Sequence, residues 1–349
     1  MVKLSLIIPG KDAAPFLPHL FSSILLQTKQ HPLQPEPMDR RDLEIIVIDD
    51  GSTDDTPAVL DEASQQFEHF QVITNRQAKG PSHGRNQGIA AAQGEYIEFL
   101  DADDWLSPNM MRTLFDAIRH LQVDFVRTDT THVQGSSRTL RRAPMSLRNM
   151  PLNPRAGILP AATTTMVDYP LAAAGIYDRR MVDAGLLHFP EQLVTAEDRV
   201  WTWKHYLNAK SFAVVDSAGL CYRRGVSTSL TQIFDERQLQ FTEAYARVFA
   251  MLEDDPEGTV FFPKAVRTWL AMLHHHTDRY AKARKAMKED PDAPQVDPKV
   301  FNGLTQRGRE LSHRIPEDIL LEQFDLSSRA RKLAISTYMP DTILKKATL

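Results

Sequence analysis

Two nearly continuous apolar runs, Leu4-Ser5-Leu6-Ile7-Ile8 and Leu43-Glu44-Ile45-Ile46-Val47-Ile48, constrain the fold of this chain most. A strand with one face in water alternates apolar and polar residues. A run without that alternation predicts a strand covered on both faces, as in a parallel sheet flanked by helices. The segment between the runs agrees, because Phe16, Leu17, Leu20, Phe21, Ile24 and Leu25 recur at helical spacing. Gln71–Thr74, Glu95–Leu100 and Val123–Val126 predict three further strands. Thr56-Pro57 and Ser107-Pro108 predict helix starts, the second followed by the stripe Met111, Leu114, Phe115 and Ile118. The predicted class is α/β with a mostly parallel central sheet.

In such sheets ligands bind beyond the carboxyl ends of the strands. Two predicted strands end in carboxylates: Val47-Ile48-Asp49-Asp50-Gly51-Ser52-Thr53-Asp54 and Leu100-Asp101-Ala102-Asp103-Asp104. Neighbouring like charges disfavour each other's ionised form. A divalent cation removes that penalty, since Mg²⁺ and Mn²⁺ take carboxylate oxygens and share their remaining positions with substrate phosphates. Taken singly, each motif reads equally as a turn or a helix cap. Two strand ends carrying paired aspartates favour the cation reading.

Lys79-Gly80-Pro81-Ser82-His83-Gly84-Arg85-Asn86-Gln87-Gly88 lies between them. Its glycines allow close backbone approach, Ser82 can cap the following helix, and Arg85 can pair with phosphate oxygens. It is neither a P-loop nor a G-x-G-x-x-G fingerprint. Thr195-Ala196-Glu197-Asp198 opens a helix, where acidic residues suit the dipole whether or not they have a function. The segment from Gly219 to Thr231, with Arg224 and Ser229, ends a strand in a basic, hydroxyl-rich loop that could close over a diphosphate.

The net charge of −4 is unevenly placed: residues 1–110 carry −9 and the remainder +5. An acidic front half argues against a nucleic-acid binder, whose footprint is a basic face. Cys221 is the only cysteine of the 349 residues, which excludes an internal disulfide and a thiolate zinc site. No apolar run approaches the roughly 20 residues that span a bilayer. Met1-Val2-Lys3 leads into a strand pattern and not a signal peptide, so a cytoplasmic location is expected.

The length predicts two domains, drawn as 1–235 and a helical region 236–349. Residues 29–42 read as an exposed loop, and 134–165 as an extended or flexible connection. Residues 264–288 place Val266, Trp269, Leu270, Leu273, Thr277 and Tyr280 on one helical face, with Lys264, Arg267, Lys282 and Lys285 elsewhere. His274-His275-His276 reads as a surface and boundary run, since adjacent helical residues point in different directions.

In combination, the Leu4–Pro9 strand, Gln27-Thr28, the Asp49–Asp54 motif, Gly84–Gly88, Gly94-Glu95-Tyr96, Leu100–Asp104 and Glu197-Asp198 resemble the family 2 glycosyltransferases of GT-A fold. The resemblance covers residues 3 to about 235. Phe189-Pro190-Glu191-Gln192-Leu193 leading to Ala196-Glu197-Asp198 is most similar to bacterial enzymes that add N-acetylglucosamine to poly(ribitol phosphate) wall teichoic acid. The resemblance implies an inverting, metal-dependent transfer from a UDP-sugar to a cell-surface polymer or its lipid-linked precursor. It gives Asp50 the uracil, Asp101 the ribose, and Arg85 a place in the nucleotide-sugar pocket with Pro9 and Ala102. Asp103, with Asp101, would hold Mn²⁺ or Mg²⁺ against the diphosphate. Asp198 would be the general base, and Glu197 would orient the acceptor.

An anionic acceptor leaves peripheral membrane association, at the inner face, and a homo-oligomer open. Pro9-Gly10-Lys11-Asp12 departs from the family's usual Thr-Tyr-Asn after the proline. Two other readings stand beside this one: a sugar-phosphate nucleotidyltransferase, whose Gly-rich basic loop after the first strand is missing, and a catalytically dead nucleotide-sugar-binding module.

Overall fold

The computed structural model describes residues 2–30, 36–226, 230, 233–290 and 296–348. In it both apolar runs are buried strands, β1 (Leu4–Gly10) and β2 (Leu43–Asp49), paired in parallel from Leu4↔Leu43 to Gly10↔Asp49. Helix α1 (Leu17–Gln27) connects them and buries Leu17, Leu20, Phe21 and Ile24, as their spacing predicts. The chain continues through α2 (Thr56–Ser64), β3 (His69–Thr74), α3 (Pro81–Ala91), β4 (Tyr96–Phe99), β5 (Trp105–Leu106) and α4 (Met110–Leu121). Then follow β6 (Phe125–Gln134), β7 (Ser137–Arg141), β8 (Gly175–Asp178), α5 (Arg180–Asp183), α6 (Glu197–Asn208) and β9 (Phe212–Arg223).

The strands form one sheet in the order β3-β2-β1-β4-β8-β6-β9-β5, with β7 paired to β6. β3, β2, β1 and β4 are all parallel, as are β6 and β9, while β8 runs antiparallel to both of its neighbours. From β1 the chain moves outward to β2 and β3, then returns to β1's other side with β4. That reversal makes a switch point between β1 and β4, the place in open α/β sheets where ligands bind beyond the strands' carboxyl ends.

Several boundaries differ from the sequence reading. α2 begins at Thr56 itself, whose N–H is taken by Asp54 Oδ1 at 3.0 Å, so the acidic residue and not Thr56 caps the turn. α4 begins at Met110, after Asn109 in a left-handed conformation (φ 68°), beyond the Ser107-Pro108 signal. Residues 134–165 include a hairpin, with Thr130↔Arg141 to Gln134↔Ser137 in register. Every residue of β7 is exposed, so this strand has no apolar pattern to read.

The chain divides into two compact units. The first comprises Met1–Gly157, Tyr169–Gln192 and Lys204–Val226, and so contains the sheet. The second comprises Ile158–Asp168, Leu193–Trp203 and Ser227–Leu349. Its helices are α7 (Gln240–Glu253), α8 (Gly258–Glu289), α9 (Pro298–Ser312), α10 (Glu317–Asp325), α11 (Arg329–Ile335) and α12 (Asp341–Lys346). Val266, Trp269, Leu270, Leu273 and Tyr280 of α8 are buried as expected.

Two residues of α8 are not where the sequence suggested. Lys264 is buried and ion-paired with Asp168, whose other oxygen accepts from Thr268 Oγ1 at 3.1 Å. A buried ammonium is tolerated because this carboxylate and the Thr163 carbonyl receive it. His276 is also buried, stacked on Phe241 at 4.1 Å and 7°. Among the described residues, no helix is long and apolar enough to cross a membrane.

Candidate active site

Helix α3 sits against the sheet because its glycines let it. A Cβ at Gly88 would lie 2.3 Å from Ile7 Cγ2, and one at Gly84 would lie 3.3 Å from Pro9 Cβ. Contact this close fixes the directions of Arg85, Asn86 and Gln87. Each is used.

Gln87 exchanges two hydrogen bonds with Asn75, at 2.9 and 3.1 Å, and Asn75 Nδ2 also donates to Asp50 Oδ1 at 2.9 Å. The Asp50 carboxylate further accepts the N–H groups of Lys79 at 2.9 Å and Gly80 at 2.8 Å. Asp50 is buried, and these donors occupy most of the acceptor capacity of a carboxylate. It therefore shapes the entry to α3. Gly80 is the N-cap of α3, not Ser82, which is buried inside the first turn.

On the other side of α3, Arg85 Nη2 donates to Asp101 Oδ1 at 2.8 Å. The Arg85 side chain is 9% exposed and that of Asp101 37%, so the buried cation holds a carboxylate that still faces solvent. The Arg85 guanidinium lies over the Phe189 ring, 5.1 Å from its centroid. Phe189 carries Asn86 on its backbone, through bonds of 2.8 and 3.0 Å.

The Asp101–Asp104 turn is held from two directions. A Cβ at residue 10 would stand 2.8 Å from the Cβ of Ala102, so Gly10 leaves the space that Ala102 fills. The departure at residues 9–12 thus has a packing reason. Asp12 adds to it, accepting the Thr53 N–H at 2.7 Å and donating its own N–H to Ser52 Oγ at 2.8 Å. Pro9 is buried at the end of β1.

From β9, the Arg223 N–H donates to Asp104 Oδ1 at 2.7 Å and its Nε donates to the Asp103 carbonyl at 2.7 Å. Its guanidinium lies 4.6 Å from the Trp105 ring and 5.2 Å from the Phe16 ring. Sequence reasoning singled out Arg224 and missed Arg223. Arg224 is exposed, and its N–H pairs with the Val133 carbonyl at 2.8 Å. Successive strand residues point to opposite faces, so one of two adjacent arginines meets the turn. β5, which follows the turn directly, pairs with β9 at Trp105↔Cys221, and that register brings Arg223 to it.

Electrostatics mark the same turn. Burial, then the charge of Asp101, pushes the Asp103 carboxyl up to about 6. Burial, then Asp103 and Asp101, holds Asp104 well above the usual carboxylate range. Asp104 Oδ2 is buried and has no hydrogen-bond partner among the described residues. The turn therefore holds carboxylates that a cation would favour in ionised form.

Asp50, Arg85, Asp101, Ala102, Asp103, Pro9 and Arg224 all belong to the first unit, whereas Glu197 and Asp198 belong to the second. Ser229 lies outside the described residues. Glu197 opens α6 and is buried. Ala196 before it is left-handed, with φ 60°, a conformation that costs a non-glycine residue about 1 kcal/mol or more. Its approach is fixed by Gln240 Oε1, which accepts the N–H groups of Val194 at 2.7 Å and Thr195 at 3.2 Å. Thr195 Oγ1 donates to the Arg237 carbonyl at 2.5 Å.

Residues 5–176 match the family model described as Glycosyl transferase family 2. Poly(ribitol-phosphate) beta-N-acetylglucosaminyltransferase TarS of Staphylococcus aureus (strain Mu50) is 27% identical over 224 residues, covering 64% of this chain and 35% of that protein. The poly(ribitol-phosphate) beta-glucosyltransferase of Bacillus spizizenii is 26% identical over 214 residues, covering 61% and 31% respectively. The chain thus spans about a third of the length of these curated relatives. Among solved structures, S. aureus TarS 1-349 in complex with UDP-GlcNAc superposes with a TM-score of 0.69 at 20% identity, covering 97% of this chain and 89% of that one. That likeness is one of fold: GT-A, with a helical C-terminal region.

Proposed function

Because this chain belongs to glycosyl transferase family 2 through residues 5–176, we propose that it moves a sugar from a UDP-sugar to a hydroxyl of an anionic, teichoic-acid-like polymer or its lipid-linked precursor. N-acetylglucosamine or glucose is the sugar favoured by the names of the two relatives. The observation that carries the reading is the convergence of the Asp50 and Asp101 motifs on one helix, α3, at the switch point between β1 and β4.

In this reading Arg85 and Asp101 orient the nucleotide sugar at the ribose and diphosphate. Pro9 walls the base, as does the 75–80 segment that Asp50 braces. Asp103, with Asp101 beside it, is the pair that would hold Mn²⁺ or Mg²⁺. These ions take one or two carboxylates and complete their shell with substrate phosphates and water, so the raised carboxyl of Asp103 fits the role. A cation there supplies positive charge for the departing diphosphate. Arg224, exposed just after β9, would add positive charge toward that diphosphate.

Asp198 takes the proton of the acceptor hydroxyl as its oxygen bonds to the anomeric carbon, while Glu197 orients the acceptor. The bond from that carbon to UDP breaks, and its electron pair leaves with the diphosphate. One in-line displacement inverts the centre. An anionic polymer acceptor places the enzyme at the inner face of the membrane where such a precursor is built.

The test is a melting-temperature panel of nucleotide sugars with Mn²⁺, followed by a transfer assay on poly(ribitol phosphate). A donor at about 100 times its Kd stabilises the folded state by about 2.7 kcal/mol. UDP release matched one-to-one with polymer glycosylation is the expected result. Pyrophosphate release would instead make the protein a nucleotidyltransferase, and donor binding without turnover would make it a binding module.

A further inference from the structure

Both backbone groups of Phe189 close on a single side chain. Its N–H donates to Asn86 Oδ1 at 2.8 Å, and Asn86 Nδ2 donates to its carbonyl at 3.0 Å. This is the two-bond exchange of a hydrogen-bonded pair in an antiparallel ladder, made here by a carboxamide 103 positions away in sequence. Asn86 Nδ2 also donates to Glu191 Oε1 at 2.9 Å, and Glu191 Oε2 lies 2.9 Å from His83 Nδ1. Two residues of one helix thus hold the 189–191 segment at both ends.

What the clamp holds is a platform. The Phe189 ring is fully buried, edge-on to Phe99 at 5.4 Å and 84°. The Arg85 guanidinium rests on it at 5.1 Å and from there reaches Asp101. An arginine stacked on a fixed aromatic face loses fewer alternative rotamers when it binds an anion than one free to swing.

We propose that Asn86 is a positioning residue for donor binding: by fixing the Phe189 backbone it sets the ring on which Arg85 rests, and so the presentation of Arg85 to Asp101 and the nucleotide sugar. The proposal rests on the function proposed above, in which Arg85 meets the donor.

Asn86→Ala and Phe189→Leu are compared alone and in an Arg85→Lys background, with calorimetric Kd for UDP-GlcNAc in Mn²⁺ and with chemical unfolding. Phe189→Leu leaves both backbone bonds to Asn86 available and removes only the ring. Each single variant is expected to weaken donor binding about tenfold, and to add little once Arg85 is lysine, because residues acting through one contact are not additive. Wild-type affinity in Asn86→Ala, or full losses that persist in the lysine background, overturns the proposal. A lowered unfolding free energy with unchanged affinity also overturns it. If Asn86→Ala does not fold, Asn86→Ser, whose shorter hydroxyl cannot make the two-bond exchange with Phe189, takes its place in the cycle with the same outcomes. If the wild type binds no UDP-sugar, the functional reading has failed, and coupling of Asn86 to Arg85 in unfolding free energy decides the clamp separately, with additive effects refuting it.

Discussion

The backbone N–H of Arg223 donates to Asp104 Oδ1 at 2.7 Å, while the same residue's Nε donates to the neighbouring Asp103 carbonyl. One arginine from β9 thus fixes the acidic turn after β4 through main chain and side chain together. In Arg223→Met the first bond and the apolar stem remain, while the Nε bond and the contacts with Trp105 and Phe16 are lost. The expected cost is about 1–2 kcal/mol of stability, with donor affinity reduced beyond that. Arg224→Met, at an exposed position, should change stability by no more than about 0.5 kcal/mol. Paired denaturation curves test this contrast in stability, and equal losses in the two variants would refute it.

Asp103 and Asp198 should fail in different ways. Asp103→Asn is expected to lose metal-dependent donor binding and transfer together while the fold persists. Near wild-type turnover of that variant in a chelator would remove the metal from the proposal. Asp198→Asn should bind donor normally and lose about 10²–10⁴ in kcat. A defect confined to donor affinity would move the base, with Glu197 next.

His276 makes stability depend on pH. Burial, then the nearby charges of His275, Arg279 and Arg199, pushes its pKa down to about 3 in the folded protein. The unfolded residue titrates near 6.5. Above that pH both states are neutral and His276 contributes no slope. As pH falls below it the unfolded state gains a proton that the folded state refuses. Stability then drops by up to about 1.4 kcal/mol per pH unit until the folded pKa is reached. Urea unfolding of His276→Phe, which keeps a ring against Phe241, should show a flatter decline between pH 6.5 and 4. An unchanged slope would place the low-pH loss elsewhere.

Residues 264–288 hold Lys264, Arg267, Arg279, Lys282, Arg284, Lys285 and Lys288 against Asp278. Burial of Lys264 removes it from any outer stripe. Lys282 pairs with Asp278 at 2.7 Å and Lys285 with Glu289 at 3.8 Å, but both lysines are exposed, and such surface pairs contribute little. Reversing the charge at Lys282 and Lys285 should raise the KM for an anionic polymer at low salt and leave donor hydrolysis unchanged. The effect should fade toward 1 M salt, where the screening length is about 3 Å. Unaltered acceptor kinetics at low salt would reduce the stripe to solvated surface.

Short-range order in the sequence was enough to read the core of the sheet and the acidic strand ends. β1 and β2 announce themselves because burial on both faces leaves no room for alternation, and Asp101–Asp104 follows directly from where β4 must stop. Contacts between residues far apart in sequence were a different matter. β7 is exposed throughout and has no apolar signature, so only its partner β6 makes it a strand. Lys264 reads as surface by charge, and its burial depends on Asp168, 96 positions away. The choice of Arg223 over Arg224, and of Asn86 as the holder of Phe189, likewise rests on partners over 100 positions distant. The sequence by itself determined the fold class and the strand ends that carry the chemistry, because local periodicity and turn composition encode both. Only the tertiary structure decided which polar side chains brace those ends, because a hydrogen bond across the fold leaves no mark in the local pattern of either partner.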